Sequence, residues 1–170
     1  MLDLLRDRHS IRRYEPRDVE PAVVDQLKEA ALRAPSSRNL RPWQFLFVTD
    51  RAKLGELAQA KSAFGAWLAD APLGVVVCGR ESVSDCWIED CSIAASYLQL
   101  TAASLGLGSC WIQIRARTHA DGRPAEEHVR EILSLPKDLR TLCIVALGYP
   151  AETKTNVAAD ALKWDSVTDI

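Results

Sequence analysis

Arg8-His9-Ser10-Ile11-Arg12-Arg13-Tyr14 sets three guanidinium groups and a hydroxyl within seven residues, beside apolar anchors. That is chemistry suited to holding a phosphate: a guanidinium fork matches phosphate oxygens bidentately, and a serine hydroxyl adds a further hydrogen bond. Arg8 and Arg12 are four apart, so a helix begun by Leu2, Leu4 and Leu5 and continued through them brings both cations to one side. Residues 6–17 carry five arginines against Asp7 and Glu15, a local balance of +3 in a chain whose formal net charge is −2. Positive charge so concentrated fits a small anionic ligand better than a polyanion, and nucleic acid is not an expected partner. A solvated basic face is the competing reading of the cluster taken alone.

The elements that must position these groups follow from the apolar pattern. At 170 residues, 48% apolar and 26% charged, the chain fits one domain with a sizeable core. Pro21 suits a first helical turn, and Val23, Val24, Leu27 and Ala31 recur at the spacing of one buried face, with the helix ending before Pro35. Residues 45–49, 73–78, 109–114 and 141–147 read as strands. Residues 90–105 form a helix apolar almost all round, which belongs in a core or an interface. Gly106 ends that helix and Gly108 turns the chain into the next strand; the spacing is not a dinucleotide fingerprint. Asp121-Gly122-Arg123-Pro124 is an exposed turn before a helix containing Val129, Ile132 and Leu133. The apolar runs fall short of a bilayer span and the first residues are charged, so a cytoplasmic protein without membrane partners is expected. Cys78, Cys86, Cys91, Cys110 and Cys143 form no CxxC pair and read as reduced, mostly buried thiols.

A second segment could hold a ligand. Ala34-Pro35-Ser36-Ser37-Arg38-Asn39-Leu40-Arg41-Pro42-Trp43 joins the first long helix to the first strand, and its prolines, serines and asparagine make a stiffened polar loop. A plain turn is the alternative. His119, His128, Glu89 and Asp90 form no recognisable constellation and read as surface or helix-capping residues, so neither a catalytic acid, base or nucleophile nor a metal site is expected.

Taken in order, residues 8–12, residues 34–43, Gly106-Leu107-Gly108-Ser109-Cys110-Trp111-Ile112 and Gly148-Tyr149-Pro150-Ala151-Glu152 resemble the FMN-dependent nitroreductase family, in its short branch. The resemblance covers nearly the whole chain. It implies an α+β, three-layer α/β/α fold with a largely antiparallel central sheet, spanning residues 1–170 as one domain in an intertwined homodimer. Residues 151–170 become an extension packed on the partner subunit.

The resemblance also implies residue roles. Arg8 and Ser10 match the positions that hold the FMN phosphate, with His9 between them. Arg12 matches a basic position near the pyrimidine end of the flavin, where a positive charge stabilises the anion that builds up on reduction. Pro35, Ser36, Ser37 and Asn39 match a loop over the isoalloxazine that comes from the other subunit in relatives. Trp111 to Gln113 match the segment along the ring, with a backbone N–H near Gln113 facing flavin N5. Lys163, with Lys154 second, takes the place of a C-terminal basic phosphate contact. One departure stands out: where some relatives place an Asn and a Lys, this chain has Phe64-Gly65-Ala66-Trp67-Leu68, an apolar stretch whose Phe64 and Trp67 are core or pocket residues. The expected activity is hydride transfer from NAD(P)H through FMN to a nitroaromatic, quinone or similar small acceptor, with ping-pong kinetics. Reductive dehalogenation, dehydrogenation on the same fold, and flavin binding without turnover are the alternatives.

Overall fold

A computed structural model describes residues 1–63 and 65–170. Four strands, β1 (Trp43–Val48), β2 (Leu73–Arg80), β3 (Gly108–Gln113) and β4 (Leu139–Gly148), form one sheet in the order β1-β2-β4-β3, every neighbouring pair antiparallel. The helices are α1 (Leu2–Asp7), α2 (Pro21–Leu32), α3 (Arg51–Ala58), α4 (Trp87–Ser104) and α5 (Ala125–Leu133).

Strand alternation explains the layering. Leu73, Val75 and Val77 of β2 point to one face and meet Leu27 and Ala31 of α2 and Cys91, Ala94 and Leu98 of α4. Val76 and Cys78 point to the other, toward Leu54 and Leu57 of α3 and Val129 of α5. The two clusters sit on opposite sides of the sheet, giving the expected α/β/α sandwich. Both central strands are buried along nearly their whole length, which is why they read as continuous apolar runs.

Four strands and three helices lie where the sequence places them, with shifted ends. The main extension is α4, which starts at Trp87, not at Asp90. Helix α3 has no counterpart in the sequence reading, although Asp50 caps it, accepting the Lys53 N–H at 3.1 Å. Its weak apolar periodicity hid it; only Leu54, Leu57 and Ala58 are buried.

One expectation is corrected at the N-terminus. Helix α1 stops at Asp7 and Arg8 is already extended, at φ −71° and ψ 119°. Ile11 donates its N–H to the Ser109 carbonyl at 2.9 Å, and Ser10 pairs with Ser109 as a parallel bridge. The competition was between one more helical turn and a docking site for Ile11, which buries against β3. Gly108 makes that docking possible, since a Cβ there would lie 2.7 Å from the Ile11 Cβ. Because the segment is extended, side chains alternate: Ile11 is buried, Arg12 is exposed, and Ser10 is half-buried with its hydroxyl beside the Cys110 thiol.

The cysteines behave as buried thiols. Burial pushes Cys78 up to about 11 and Cys91 up to about 12, and holds Cys143 well above the usual thiol range. Only Cys86 of the five keeps appreciable solvent contact. An aromatic disulfide reagent should therefore titrate about one thiol per native chain and all five after denaturation. Rapid reaction of two or more in the native state would contradict this packing.

Candidate functional site

The N-terminal segment lies along the open edge of the sheet. Among the described residues, β4 is the one strand that pairs with β3, with the Ser10 bridge on the other side, and alternate residues turn their backbone groups toward β4. Ile114 donates to the Leu142 carbonyl on the β4 side, while the Ser109 carbonyl faces outward to Ile11. By that alternation the N–H groups of Trp111 and Gln113 also face outward. Gln113 lies four positions beyond Ser109, so the edge runs about 13 Å from the Ser10 bridge to the Gln113 N–H. Their side chains brace one another: the Trp111 indole donates to Gln113 Oε1 at 2.8 Å, and Gln113 Nε2 donates to the Arg115 carbonyl at 2.9 Å.

At the near end of this edge lies a cavity of about 390 Å³ lined by Arg8, His9, Ser109, Glu152, Lys154 and Asn156, among others. Arg6 pairs with Asp3 and Arg17 with Glu20, yet among the described residues Arg8 and Arg12 have no carboxylate partner. Arg12 instead lies over the Trp67 ring, 5.1 Å from its centre. His9 Nε2 contacts Asn156 Oδ1 at 2.8 Å, and the Asn156 amide donates to Asp7 at 2.8 Å, closing the cavity on the C-terminal side.

Glu152 is the acidic member of the group. Lys154 lies 2.7 Å away, and the Arg12 N–H donates to the carboxylate at 2.6 Å. These two donors hold its carboxyl down to about 2, so it remains ionised across the working pH range. Of the two candidate C-terminal cations, Lys154 lines the cavity and Lys163 does not; Lys163 stands on an exposed arm beyond it.

The loop around Pro35 stands elsewhere. Arg38, Asn39 and Arg41 have positive φ values of 51°, 56° and 50°, left-handed conformations that side chains normally avoid. Asp90 holds this conformation in place. It is only 2% exposed, accepts the Ser37 N–H at 2.7 Å on one oxygen, and accepts the Ser84 hydroxyl at 3.1 Å on the other. This corrects the surface or capping role expected for Asp90. Ser36 Oγ accepts the Arg41 N–H and Asn39 accepts from the Arg41 guanidinium, both at 2.9 Å. Pro35 and Asn39 are exposed, with Ser36 and Ser37 half-buried.

The two binding segments thus sit at opposite ends of α4. Asp90, anchoring Ser37, is in its first turn, while Ala103, which lines the Arg8 cavity, is in its last. Thirteen residues of helix separate them by about 20 Å. Within one chain the structure brings together Arg8, His9, Ser10, Arg12, Trp111 and Gln113, and does not bring Pro35, Ser36, Ser37 or Asn39 to them. Trp67 borders the Arg12 end of the edge and packs partly against the core. Phe64 lies outside the described residues.

An antiparallel α/β/α sandwich with a cationic cavity at one end of an open sheet edge is a ligand-binding architecture. Comparison with known proteins places it. The nitroreductase family matches residues 5–64 and 56–149. A solved FMN-dependent nitroreductase of Clostridium difficile R20291 superimposes with a TM-score of 0.97 at 42% identity, covering 99% of this chain and 98% of that one. A Methanothermobacter thermautotrophicus protein, provisionally assigned as an NADH dehydrogenase/NAD(P)H nitroreductase, is 34% identical over 158 residues, 89% of this chain and 78% of its own. The NADH dehydrogenase of Thermus thermophilus is 32% identical over 184 residues, covering 85% and 84%. The chain belongs to the nitroreductase family.

Proposed function

We propose that the protein is an FMN-dependent NAD(P)H oxidoreductase whose flavin lies along the open edge of β3. The observation that carries this reading is the alignment of a cationic cavity and two outward-facing N–H groups on one strand edge, with Ser10 bridged to Ser109 beside the cavity. The donor set fits a ligand with a phosphate at one end and a polar ring system at the other. Arg8 and Ser10 hold the phosphate, with Lys154 or Lys163 as the second cation; Lys154 must then share its charge between Glu152 and the ligand. Arg12 sets an unpaired positive charge beside the ring, and the Gln113 N–H, fixed by the strand, is its hydrogen-bond donor.

When bound, FMN supplies hydride chemistry, accepting hydride from NAD(P)H and delivering it to a small nitroaromatic or quinone acceptor in two alternating half-reactions. The chain's own residues bind, orient and polarise. Among the described residues, Glu152 accepts the Arg12 backbone N–H but no carboxylate pairs with its guanidinium, so that charge is available to an anionic ring edge. The indoles of Trp67 and Trp111 lend apolar surface that excludes water from the hydride path. Completing the site requires the Pro35–Asn39 loop, and therefore a second copy of the chain in a homodimer.

The purified protein should be yellow and release about one FMN per chain on heating. It should oxidise NADH or NADPH in the presence of a quinone or nitroaromatic faster than free FMN does. A flavin-loaded protein without such turnover would leave binding without catalysis as the function; a protein that takes up no flavin would overturn the site itself.

A further inference from the structure

Away from the sheet edge, the connection between β3 and α5 carries a second cluster. His119, Asp121 and His128 bring two imidazole nitrogens and a carboxylate oxygen within 4.8 Å of one another. The turn sets the first two: Thr118 pairs with Pro124, and the His119 N–H donates to the Arg123 carbonyl at 2.9 Å around Gly122, whose φ is +88°. His128 projects from α5, and its ring lies 3.4 Å centre to centre from that of His119. The two imidazoles are largely buried, at 22% and 15% side-chain exposure.

The hydrogen-bond roles within the cluster conflict. His119 Nδ1 is 2.9 Å from Asp121 Oδ1 and 3.2 Å from the Asp121 N–H, so one contact needs a proton on the nitrogen and the other a lone pair. His128 Nε2 is 3.0 Å from Asp121 Oδ2 and 3.1 Å from Arg123 Nη2. A guanidinium offers only donors, so this nitrogen too is asked to donate and accept at once. A divalent cation takes a lone pair from each nitrogen and from the carboxylate, so neither nitrogen needs a proton toward Asp121, while the Asp121 N–H and Arg123 Nη2 give up their contacts to the rings.

We propose that His119, Asp121 and His128 bind one divalent transition-metal ion of the zinc class. Two imidazoles and a carboxylate suit zinc and its neighbours better than magnesium or calcium. Tetrahedral zinc sets its ligand atoms about 3.3 Å apart; His119 meets Asp121 Oδ1 at 2.9 Å and His128 meets Oδ2 at 3.0 Å, so the carboxylate turns to present one oxygen or binds through both. Arg123 must give way, and Glu131, 2.7 Å from its guanidinium, already offers it another carboxylate. A concavity of about 500 Å³ beside the rings leaves room for water as a fourth ligand. The ion pins the turn to α5. The spacing does not announce it, since His-x-Asp followed by His seven residues on becomes a cluster only when the turn folds back on the helix.

The full-length protein, stripped with a chelator and dialysed against Zn²⁺, should take up about one zinc per chain with a rise in Tm. His128→Phe keeps the ring packing but offers no ligand nitrogen, and should lower zinc affinity at least tenfold with an unchanged circular dichroism spectrum. Should that variant fail to fold, Asp121→Asn makes the same comparison. Arg123→Ala removes the competing cation and should bind zinc more tightly. Failure of the wild type to bind zinc stoichiometrically would overturn the proposal. So would equal affinity in the ligand variants, which would place the metal elsewhere, for example at Cys86.

Discussion

Mixed dimers of an Arg8→Ala chain and a Ser37→Pro chain should bind FMN tightly at about half of their sites, one of the two in each, although neither variant alone does so. Arg8→Ala removes a charged hydrogen bond to phosphate, worth about 1.5 to 3 kcal/mol, or roughly ten- to a hundredfold in affinity. Ser37→Pro deletes the N–H that Asp90 accepts at 2.7 Å, freeing a loop with three left-handed residues to relax. The preceding Ser36 is extended, at φ −141° and ψ 155°, so a proline at 37 introduces no further clash.

Recovery follows from geometry. The loop and the Arg8 cavity are about 20 Å apart along α4, so a site that uses both takes one from each chain. In a two-fold dimer of the two variants, one site collects both defects and the other collects none. Random pairing makes half of the dimers mixed, hence about a quarter of all sites intact. Flavin retained after gel filtration of the co-expressed and separately expressed proteins measures this directly. Absence of recovery would mean that both segments act on a flavin held within one chain.

Much of this arrangement is legible before folding because the relevant signals are local. Arg8, Ser10 and Arg12 are clustered in sequence, and Pro35 through Asn39 advertise a stiff loop by composition. What escapes is set by long-range contacts. Leu2, Leu4 and Leu5 suggest a helix long enough to carry Arg12, and only the docking of Ile11 on Gly108 stops it at Asp7. Asp90 reads as a capping residue in the first turn of α4, yet its oxygens are spent on Ser37 and Ser84, residues brought to it by β1 and β2. The pairing of His119 with His128 likewise depends on a turn whose outcome no apolar periodicity records. Sequence places the residues that touch a ligand better than those that hold them in position.

Removal of residues 157–170 should turn the proposed dimer into monomers at micromolar concentration and strip most of the flavin with it. From Thr153 onward every residue is exposed. The arm nonetheless carries Val157, Leu162, Trp164, Val167 and Ile170, at 62%, 50%, 61%, 65% and 120% relative exposure. Among the described residues, the backbone hydrogen bonds of residues 157–170 are internal, in two short 3₁₀ turns at Ala159–Ala161 and Trp164–Ser166, and none ties the arm to its own core. Large apolar side chains gain about 1.5 to 3 kcal/mol each when fully buried, and five on each of two arms amount to a substantial association term even after the entropy of ordering the arm. Helix α4 offers matching surface, since Ile93 and Tyr97 are 38% and 40% exposed on the side turned away from the sheet. Sedimentation equilibrium of the chain ending at Asn156 reads the outcome. Retention of the dimer would show that α4, rather than the arm, carries the association. Monomers that keep their flavin would show that the Arg8 cavity and the β3 edge suffice without a second chain.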